Sequence, residues 1–177
     1  MFNRHDLISQ LTNYKTSYPE EQVFIQQFLE LLGQKDCFER THLPSDITGS
    51  SWIVDELYKK VLLVHHAKLN KWLQPGGHAD GDDNVLRVAT REAEEETGLK
   101  SLKPVSSTIF DIDIHTIPAR KDMPEHLHYD VRFLFVGNVD EPIVVSEESH
   151  EVKWINLSKL EQFNQERSVL RMKEKIN

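Results

Sequence analysis

The segment 77–99 constrains the fold more than any other part of the sequence, because it places a glycine-containing turn before a helix with a patterned face. Glu92, Glu95 and Glu96 stand at positions i, i+3 and i+4, which fall within an arc of about 100° on an α-helix. The same arc carries apolar residues earlier in the helix, namely Val85, Val88 and Ala89. The acids therefore continue a stripe that is directed towards the body of the protein.

The helix is predicted to span about 84–97 and to end at Gly98, since glycine is the usual residue after a helix C-terminus. Three like charges held against a protein body raise its free energy unless a positive group joins them. A hard divalent cation is the natural partner, because it prefers oxygen ligands. The alternative is an ordinary solvated acidic face.

The segment resembles the Nudix box, G-x5-E-x7-R-E-U-x-E-E-x-G-U, in which U is an aliphatic residue. The positions in register are Gly77, Arg91, Glu92, Ala93, Glu95, Glu96, Gly98 and Leu99. One position departs from the pattern, because Asp83 replaces the first glutamate of the family. Aspartate keeps the charge but is one methylene shorter, so a salt link from this position requires a closer approach of the loop.

The resemblance implies a fold and a chemistry. Nudix proteins are α/β proteins with an α/β/α sandwich around a mixed sheet, and they hydrolyse a diphosphate linkage in a nucleoside diphosphate joined to another moiety. They use Mg²⁺ or Mn²⁺, and metal-activated water is the nucleophile. By this resemblance Glu92, Glu95 and Glu96 bind the metal together with the carbonyl of Gly77, and Arg91 orients the glutamates.

The general base of such an enzyme is either a glutamate of the box or an acid from a later loop. Glu92 is the candidate within the box, and Glu147, Glu148 and Glu151 are the loop candidates. We name Glu151 as the catalytic loop residue, because it directly precedes a predicted strand, where the family often has an acid. A solvated loop is the alternative for this segment.

Residues 1–45 are predicted to form an N-terminal helical extension to a Nudix hydrolase domain at 46–177. Two short helices are expected between 6 and 34, with Pro19 at the start of the second and an end near Gly33. We expect the extension to pack on the core. A dimer contact, and so a homodimer, and a border of the substrate pocket are the alternatives.

The rest of the chain alternates like strands at 51–54, 61–65, 105–117, 127–137 and 151–155. Ser158 and Glu161 are spaced as a capping box for a helix after the last strand. A final helix is expected from about 166.

Polar residues occupy one face of two of these strands. Asp111, Asp113 and His115 alternate with isoleucines, and a second set consists of His128, Asp130 and Arg132. Because both faces of a sandwich are covered, we expect these polar faces to line a cleft. Arg132 would hold a phosphate there, with His128, Asp130, His115 and Asp113 as further substrate contacts. A half-solvated sheet is the alternative.

The histidines allow a second kind of site. His115, His126 and His128 could bind zinc, although they lack the tight spacing of structural zinc sites. His78 lies in the turn before the acidic helix, where a hydrogen bond within the turn is the simplest role.

Composition narrows the partners of the chain. The formal net charge of −8 disfavours nucleic acid, whereas bound metal would still allow an anionic nucleotide to bind. The single cysteine, Cys37, excludes an internal disulfide and favours a cytoplasmic protein. No apolar run in the sequence approaches membrane-spanning length, so we expect no membrane partner.

Two other function classes stay open at this point. Isopentenyl diphosphate isomerases share the Nudix fold but need an active-site cysteine, and Cys37 precedes the first core strand. The second class is a Nudix-fold nucleotide-binding or regulatory module without catalysis, although such modules usually lose the glutamates. The sequence does not identify the substrate.

Overall fold

A computed structural model describes residues 2–119 and 123–176. The α-helices in these ranges are α1 (Arg4–Thr12), α2 (Pro19–Leu31), α3 (Val85–Thr97) and α4 (Arg167–Lys175). The strands are β1 (Ser45–Val54), β2 (Lys60–His66), β3 (Lys71–Leu73), β4 (Gly76–His78), β5 (Lys103–Pro104), β6 (Asp111–Ile117), β7 (His126–Val136) and β8 (Ser149–Asn156). A 3₁₀ helix (Leu157–Gln162) follows β8.

All eight strands form one mixed sheet. Strand β1 is parallel to β7 along its whole length and antiparallel to β2 and β4. Strands β5 and β6 pair antiparallel with β7, whereas β3 and β8 pair antiparallel with β2. Among the described strands, β1 and β7 form the one parallel pair, in the middle of the strand order β3-β2-β1-β7-β5.

Helices cover both faces of this sheet. The main core joins α1, α2 and α3 to apolar residues of the sheet, among them Ile47, Val131 and Phe133. A second core on the opposite face joins Trp52 and Val61 to α4 and the 3₁₀ helix. This arrangement confirms the predicted α/β/α sandwich.

The N-terminal helices are present as predicted, with Pro19 in the first turn of α2. Leu7 and Leu11 are fully buried in the main core, and Phe28 meets Tyr129 of β7 edge to face at 5.1 Å. The helices thus share the core of residues 46–176, and the boundary at residue 45 stays a prediction.

Two predictions rested on residues at helix ends, and the structure confirms one of them. The acidic helix α3 follows the predicted 84–97 closely, with Asn84 as N-cap and Gly98 in the left-handed conformation at φ 75°. The predicted capping box is wrong, because the 3₁₀ helix begins at Leu157 and Ser158 lies inside it. Its N-cap, Asn156, makes no side-chain capping bond.

Within residues 2–119 and 123–176, every helix is too short or too polar to cross a bilayer.

Candidate active site at the acidic helix

Helix α3 lies unusually close to the central strand β1. A Cβ atom at Gly49 would be 2.7 Å from the carbonyl oxygen of Val85 and 3.1 Å from the amide nitrogen of Ala89, so only glycine permits this approach. The Ser51 hydroxyl donates a hydrogen bond of 2.7 Å to the Ala89 carbonyl. The apolar start of the helix stripe is thereby fixed on the sheet.

The acidic end of the stripe meets the short strand β4. The Gly76 amide donates a 2.9 Å hydrogen bond to Glu96 Oε1. A Cβ at Gly77 would be 2.5 Å from the Glu92 carboxylate, so this carboxylate is packed directly on the glycine backbone. Arg91 joins the two elements, since its Nη2 donates to the His78 carbonyl at 3.1 Å and to Glu92 Oε1 at 2.7 Å.

Two of the three box carboxylates are withdrawn from water. Glu96 is only 8% exposed, and burial raises its pKa to about 8, helped by the charges of Glu92, Glu148 and Glu95. Burial also raises the pKa of Glu92, against the lowering effect of Arg91. Glu95 is exposed. In the described part of the chain Glu96 has no cationic side chain as partner, so a positive charge is missing at this position.

The residues fit a divalent cation. Carboxylate and backbone carbonyl oxygens are its preferred ligands, and Gly77 has no side chain to obstruct them. The predicted ligands are Gly77, Glu92, Glu95 and Glu96, and they lie on α3 and the strand packed against it. Among the described residues, the three carboxylates do not all lie within 4.8 Å of one another. Side-chain rotation would have to close them around an ion.

The candidate loop acids Glu148 and Glu151 differ in the groups that they interact with. The negative charge of Glu148 raises the pKa of both Glu92 and Glu96, so Glu148 lies near the box. Glu151 instead forms an exposed ion pair of 3.1 Å with Lys153. Glu148 is therefore the loop acid whose charge reaches Glu92 and Glu96, and the catalytic role of Glu151 stays a prediction.

The residue that departs from the box, Asp83, is exposed and contacts the N-terminal helix. Its Oδ2 accepts a 3.2 Å hydrogen bond from the Arg4 amide at the start of α1. The neighbouring Asp82 takes a bidentate ion pair from Arg87 at 2.6 and 2.7 Å. The shorter side chain thus ties the turn before α3 to the N-terminal extension.

The predicted phosphate contact of Arg132 is not supported. Arg132 is 2% exposed, and its guanidinium donates to Asp130 at 2.7 Å, Asp111 at 3.1 Å and Asp113 at 3.2 Å. A further bond reaches the Ser168 carbonyl of α4 at 3.4 Å, so the fourth helix covers this part of the sheet. The interpretation as a cleft is corrected here: the charges are buried and satisfy one another.

The two aspartates predicted to contact substrate belong to the same buried set. Asp130 also accepts hydrogen bonds from Thr48 and Ser50 of β1 at 2.9 and 2.7 Å. Burial acts to raise the pKa of Asp113, but Arg132 and other cations outweigh it and hold this pKa well below its usual range. Both carboxylates are buried and bonded to Arg132, at 2.7 Å for Asp130 and 3.2 Å for Asp113, so neither is exposed to a substrate.

The predicted histidines lie at the open end of this polar face. His115 bonds Asp113 at 3.2 Å and keeps a side chain 41% exposed, whereas His128 is 16% exposed. The ring of His128 lies 4.6 Å from that of His78, measured between centroids. His115 is therefore the more exposed of the two, and through Asp113 it contacts the buried charges around Arg132.

Two residues of this region, Asp46 and Arg171, were not predicted from the sequence. Asp46 is 2% exposed at the start of β1, next to His78. Its signal was the alternation Asp46, Thr48, Ser50 before the predicted strand. Arg171 had no local signal beyond its place in the predicted last helix.

The only cysteine of the sequence is not exposed at the site. Cys37 is fully buried in the main core, and burial raises the pKa of its thiol. A buried neutral thiol is a poor nucleophile, so the site lacks the cysteine that the isomerase reading needs.

Comparison with known proteins identifies the family of the chain. The sequence profile of the NUDIX domain matches residues 49–174. The m7GpppN-mRNA hydrolase NUDT17 of Xenopus laevis is 32% identical over 107 residues, which make up 53% of this chain and 36% of that protein. The asymmetrical bis(5'-nucleosyl)-tetraphosphatase of Rattus norvegicus is 28% identical over 110 residues, or 60% of this chain and 69% of that protein.

A solved structure gives the same result for the fold. An Ap4A hydrolase of C. elegans, crystallised as a binary complex, superposes with a TM-score of 0.59 at 18% identity, covering 73% of this chain and 93% of that one. At this identity the likeness concerns the fold alone. The profile match, which covers well over half of the chain, establishes that the protein belongs to the Nudix hydrolase family.

Proposed function

We propose that the protein hydrolyses a diphosphate linkage in a nucleoside diphosphate joined to another moiety, or in a related nucleotide, and that it requires a divalent cation, Mg²⁺ or Mn²⁺. The observation that carries this proposal is that the partly buried Glu92 and the buried Glu96 lie on the backbone of β4, with no cation to balance Glu96 among the described residues. Glu95 and the Gly77 carbonyl complete the oxygen donors. A structural role alone would not require three acids on a face that is partly buried.

We assign a different role to each residue of the site. When bound, the cation would neutralise the charge of the phosphates and activate a water molecule. Arg91 positions Glu92 through their 2.7 Å ion pair and holds β4 against α3 through the His78 carbonyl. Glu148 is the candidate general base, because it is an exposed carboxylate whose charge reaches the box.

The names of the relatives indicate which substrates to test first. The names of two relatives give an mRNA cap and a bis(5'-nucleosyl) tetraphosphate as substrates of those proteins. Both compounds contain phosphate anhydrides between two nucleosides. We therefore propose nucleoside polyphosphates of this kind as the first substrates to test.

The test measures phosphate or nucleotide release from dinucleoside polyphosphates, capped dinucleotides, nucleotide sugars and nucleoside triphosphates. We expect release with Mg²⁺ and none in excess EDTA. Glu92→Gln should reduce the rate by about 100-fold or more, because it removes a buried carboxylate of the box. Glu94→Gln is the matched control, since Glu94 points away from the stripe towards Lys100 at 3.7 Å and should keep the activity.

Two results would contradict the proposal. Equal turnover with Mg²⁺ and in excess EDTA would exclude a metal-dependent reaction. Nucleotide binding with no turnover on any compound of the panel would favour a catalytically silent binding module.

A further inference from the structure

A second cluster of ligand-type side chains lies on the other side of β4 from the acidic helix. Successive residues of a strand point to opposite faces of the sheet. Gly77 meets Glu92 of α3, whereas the side chain of His78 meets Asp46 of β1 and His128 of β7. The strand therefore separates two clusters, one of carboxylates and one rich in imidazoles.

The second cluster is compact. Asp46, His78 and His128 each offer one ligand atom, and these atoms lie within 4.8 Å of one another. His78 Nδ1 is 3.2 Å from Asp46 Oδ2, and His128 Nε2 is 3.8 Å from Asp46 Oδ1. Two ligand atoms that each lie about 2.0–2.1 Å from a tetrahedral ion are about 3.3 Å apart. The cluster is thus near the spacing that such an ion needs.

His126 adds a fourth donor beside it. Its Nε2 is 3.2 Å from His128 Nε2, and its Nδ1 is 2.9 Å from the carbonyl oxygen of Pro124. A carbonyl only accepts hydrogen bonds, so Nδ1 carries the proton and Nε2 of the neutral ring presents a lone pair towards His128. A ring held by a backbone carbonyl in this way is the usual arrangement of a metal-binding histidine.

Imidazole rings surround His128, which is largely buried. Ring centroids lie 4.6 Å away for His78, 5.1 Å for His126 and 5.5 Å for His115. Three nitrogen donors with one carboxylate suit zinc and related transition metals, whereas the all-oxygen donors of the acidic helix suit Mg²⁺.

We propose that Asp46, His78 and His128 bind a transition-metal dication of the zinc type, with His126 as the fourth ligand. These four ligands differ from the histidines that the sequence indicated as a possible zinc site, because Asp46 and His78 take the place of His115. His115 is turned to Asp113 at 3.2 Å and is the most exposed histidine of the group. The ion would tie together β1, β4 and β7, the strands that carry its ligands.

The test titrates Zn²⁺ into the full chain by calorimetry in the presence of saturating Mg²⁺, which is added to compete for the carboxylates of the acidic helix. We expect one Zn²⁺ per chain and a higher melting temperature, since an ion that binds only the folded state stabilises it. Zinc-edge X-ray absorption should give nitrogen or oxygen ligands at about 2.0–2.1 Å, with the signature of imidazole.

Single substitutions distinguish this zinc site from other places where Zn²⁺ could bind. His128→Gln should weaken Zn²⁺ binding by about 100-fold or more, because it removes a ligand rather than a supporting group. His5→Ala removes an exposed histidine of α1 and should bind Zn²⁺ like the wild type. Glu96→Gln should also bind Zn²⁺ like the wild type. Unchanged binding in this variant would show that the Zn²⁺ does not lie at the acidic helix.

The proposal is overturned if the wild type binds no Zn²⁺ under these conditions, or if X-ray absorption finds no imidazole ligand. It is also overturned if Glu96→Gln abolishes binding while His128→Gln, with an unchanged circular dichroism spectrum, retains it. Because the absorption measurement uses the wild type, it decides the question even if a variant fails to fold. None of these outcomes depends on hydrolysis, so the proposed function can fail separately.

Discussion

At the scale of single residues, the acidic site depends on a position without a side chain. Gly77 lets the Glu92 carboxylate lie on the backbone of β4, where an added Cβ would be 2.5 Å from the carboxylate carbon. The neighbouring Gly76 amide fixes Glu96. Two consecutive glycines therefore set the positions of two carboxylates on the helix.

We expect Gly77→Ala to impair the reaction more than the fold. The new methyl group would displace the end of the Glu92 side chain, which can rotate away at small cost in stability. Since displacement of a reacting group by about 1 Å can cost about 100-fold in rate, kcat/KM should fall by about 10-fold or more.

The measurement compares kcat/KM and the free energy of unfolding for this variant and for Gly33→Ala, at the end of α2. The control should keep its kcat/KM. Wild-type activity in Gly77→Ala would show that Glu92 does not need its contact with the backbone.

At the scale of elements, buried charges hold the last helix to the sheet. Arg171 of α4 is 1% exposed and donates to both oxygens of Asp111 at 2.8 Å. Lys175, one turn later, contacts Glu21 of α2 at 2.5 Å. The two helices and strands β6 and β7 are thus joined by ion pairs in a region that the sequence suggested was open.

We expect Asp111→Asn to destabilise the protein by about 3–5 kcal/mol near neutral pH, because it leaves buried cations without their partner. Burial acts to raise the pKa of Asp111, but Arg171, Arg132 and Lys175 hold it below its ordinary value of 3.8. Its stabilising contribution is therefore present above that value and is lost as the pH falls through the lower, folded-state pKa.

Urea unfolding at several pH values tests this prediction. The difference between wild type and Asp111→Asn should narrow as the solution is acidified below about pH 4. The control is Glu161→Gln, which breaks an exposed pair with Lys173 and should change stability by about 1 kcal/mol or less. A constant difference at all pH values would be incompatible with a depressed pKa at Asp111.

At the scale of the whole molecule, the N-terminal helices and the rest of the protein share one core. Leu11 of α1 is fully buried, and Phe2 meets Phe133 of β7 edge to face at 5.7 Å. Arg4 also donates to the carbonyls of Lys35 and Gln34 beyond the end of α2. Packing therefore holds the N-terminal segment to the sheet, and the Ile112 amide of β6 adds a 3.2 Å hydrogen bond to Glu21 of α2.

We expect Leu11→Ala to lower the stability of the whole protein by about 2–5 kcal/mol, as for other buried leucines, within one cooperative transition. Val23→Ala, at a position of α2 that is 60% exposed, should change it by about 0.5 kcal/mol or less. Calorimetry distinguishes the outcomes, because an independent extension would melt in a separate transition while the main transition stayed unchanged.

The sequence by itself determined the acidic helix and the family. Helix α3 could be predicted because its signals are local: an apolar stripe, an N-cap at Asn84 and a left-handed glycine at Gly98. The box spacing could be read without a structure, since residues three and four apart on a helix always share a face. The two N-terminal helices and the last helix were predictable for the same reason.

Only the tertiary structure decided what the polar strand faces do. Alternation placed Asp130 and Arg132 on one face correctly, but it carries no information on what covers that face, and here α4 buries it. The beginning of β1 was missed because its buried polar residues resemble a loop until their partners on β7 are known. Asp46 and His78 are 32 positions apart. They meet because β4 pairs with β1, and such pairing depends on contacts between segments distant in the chain.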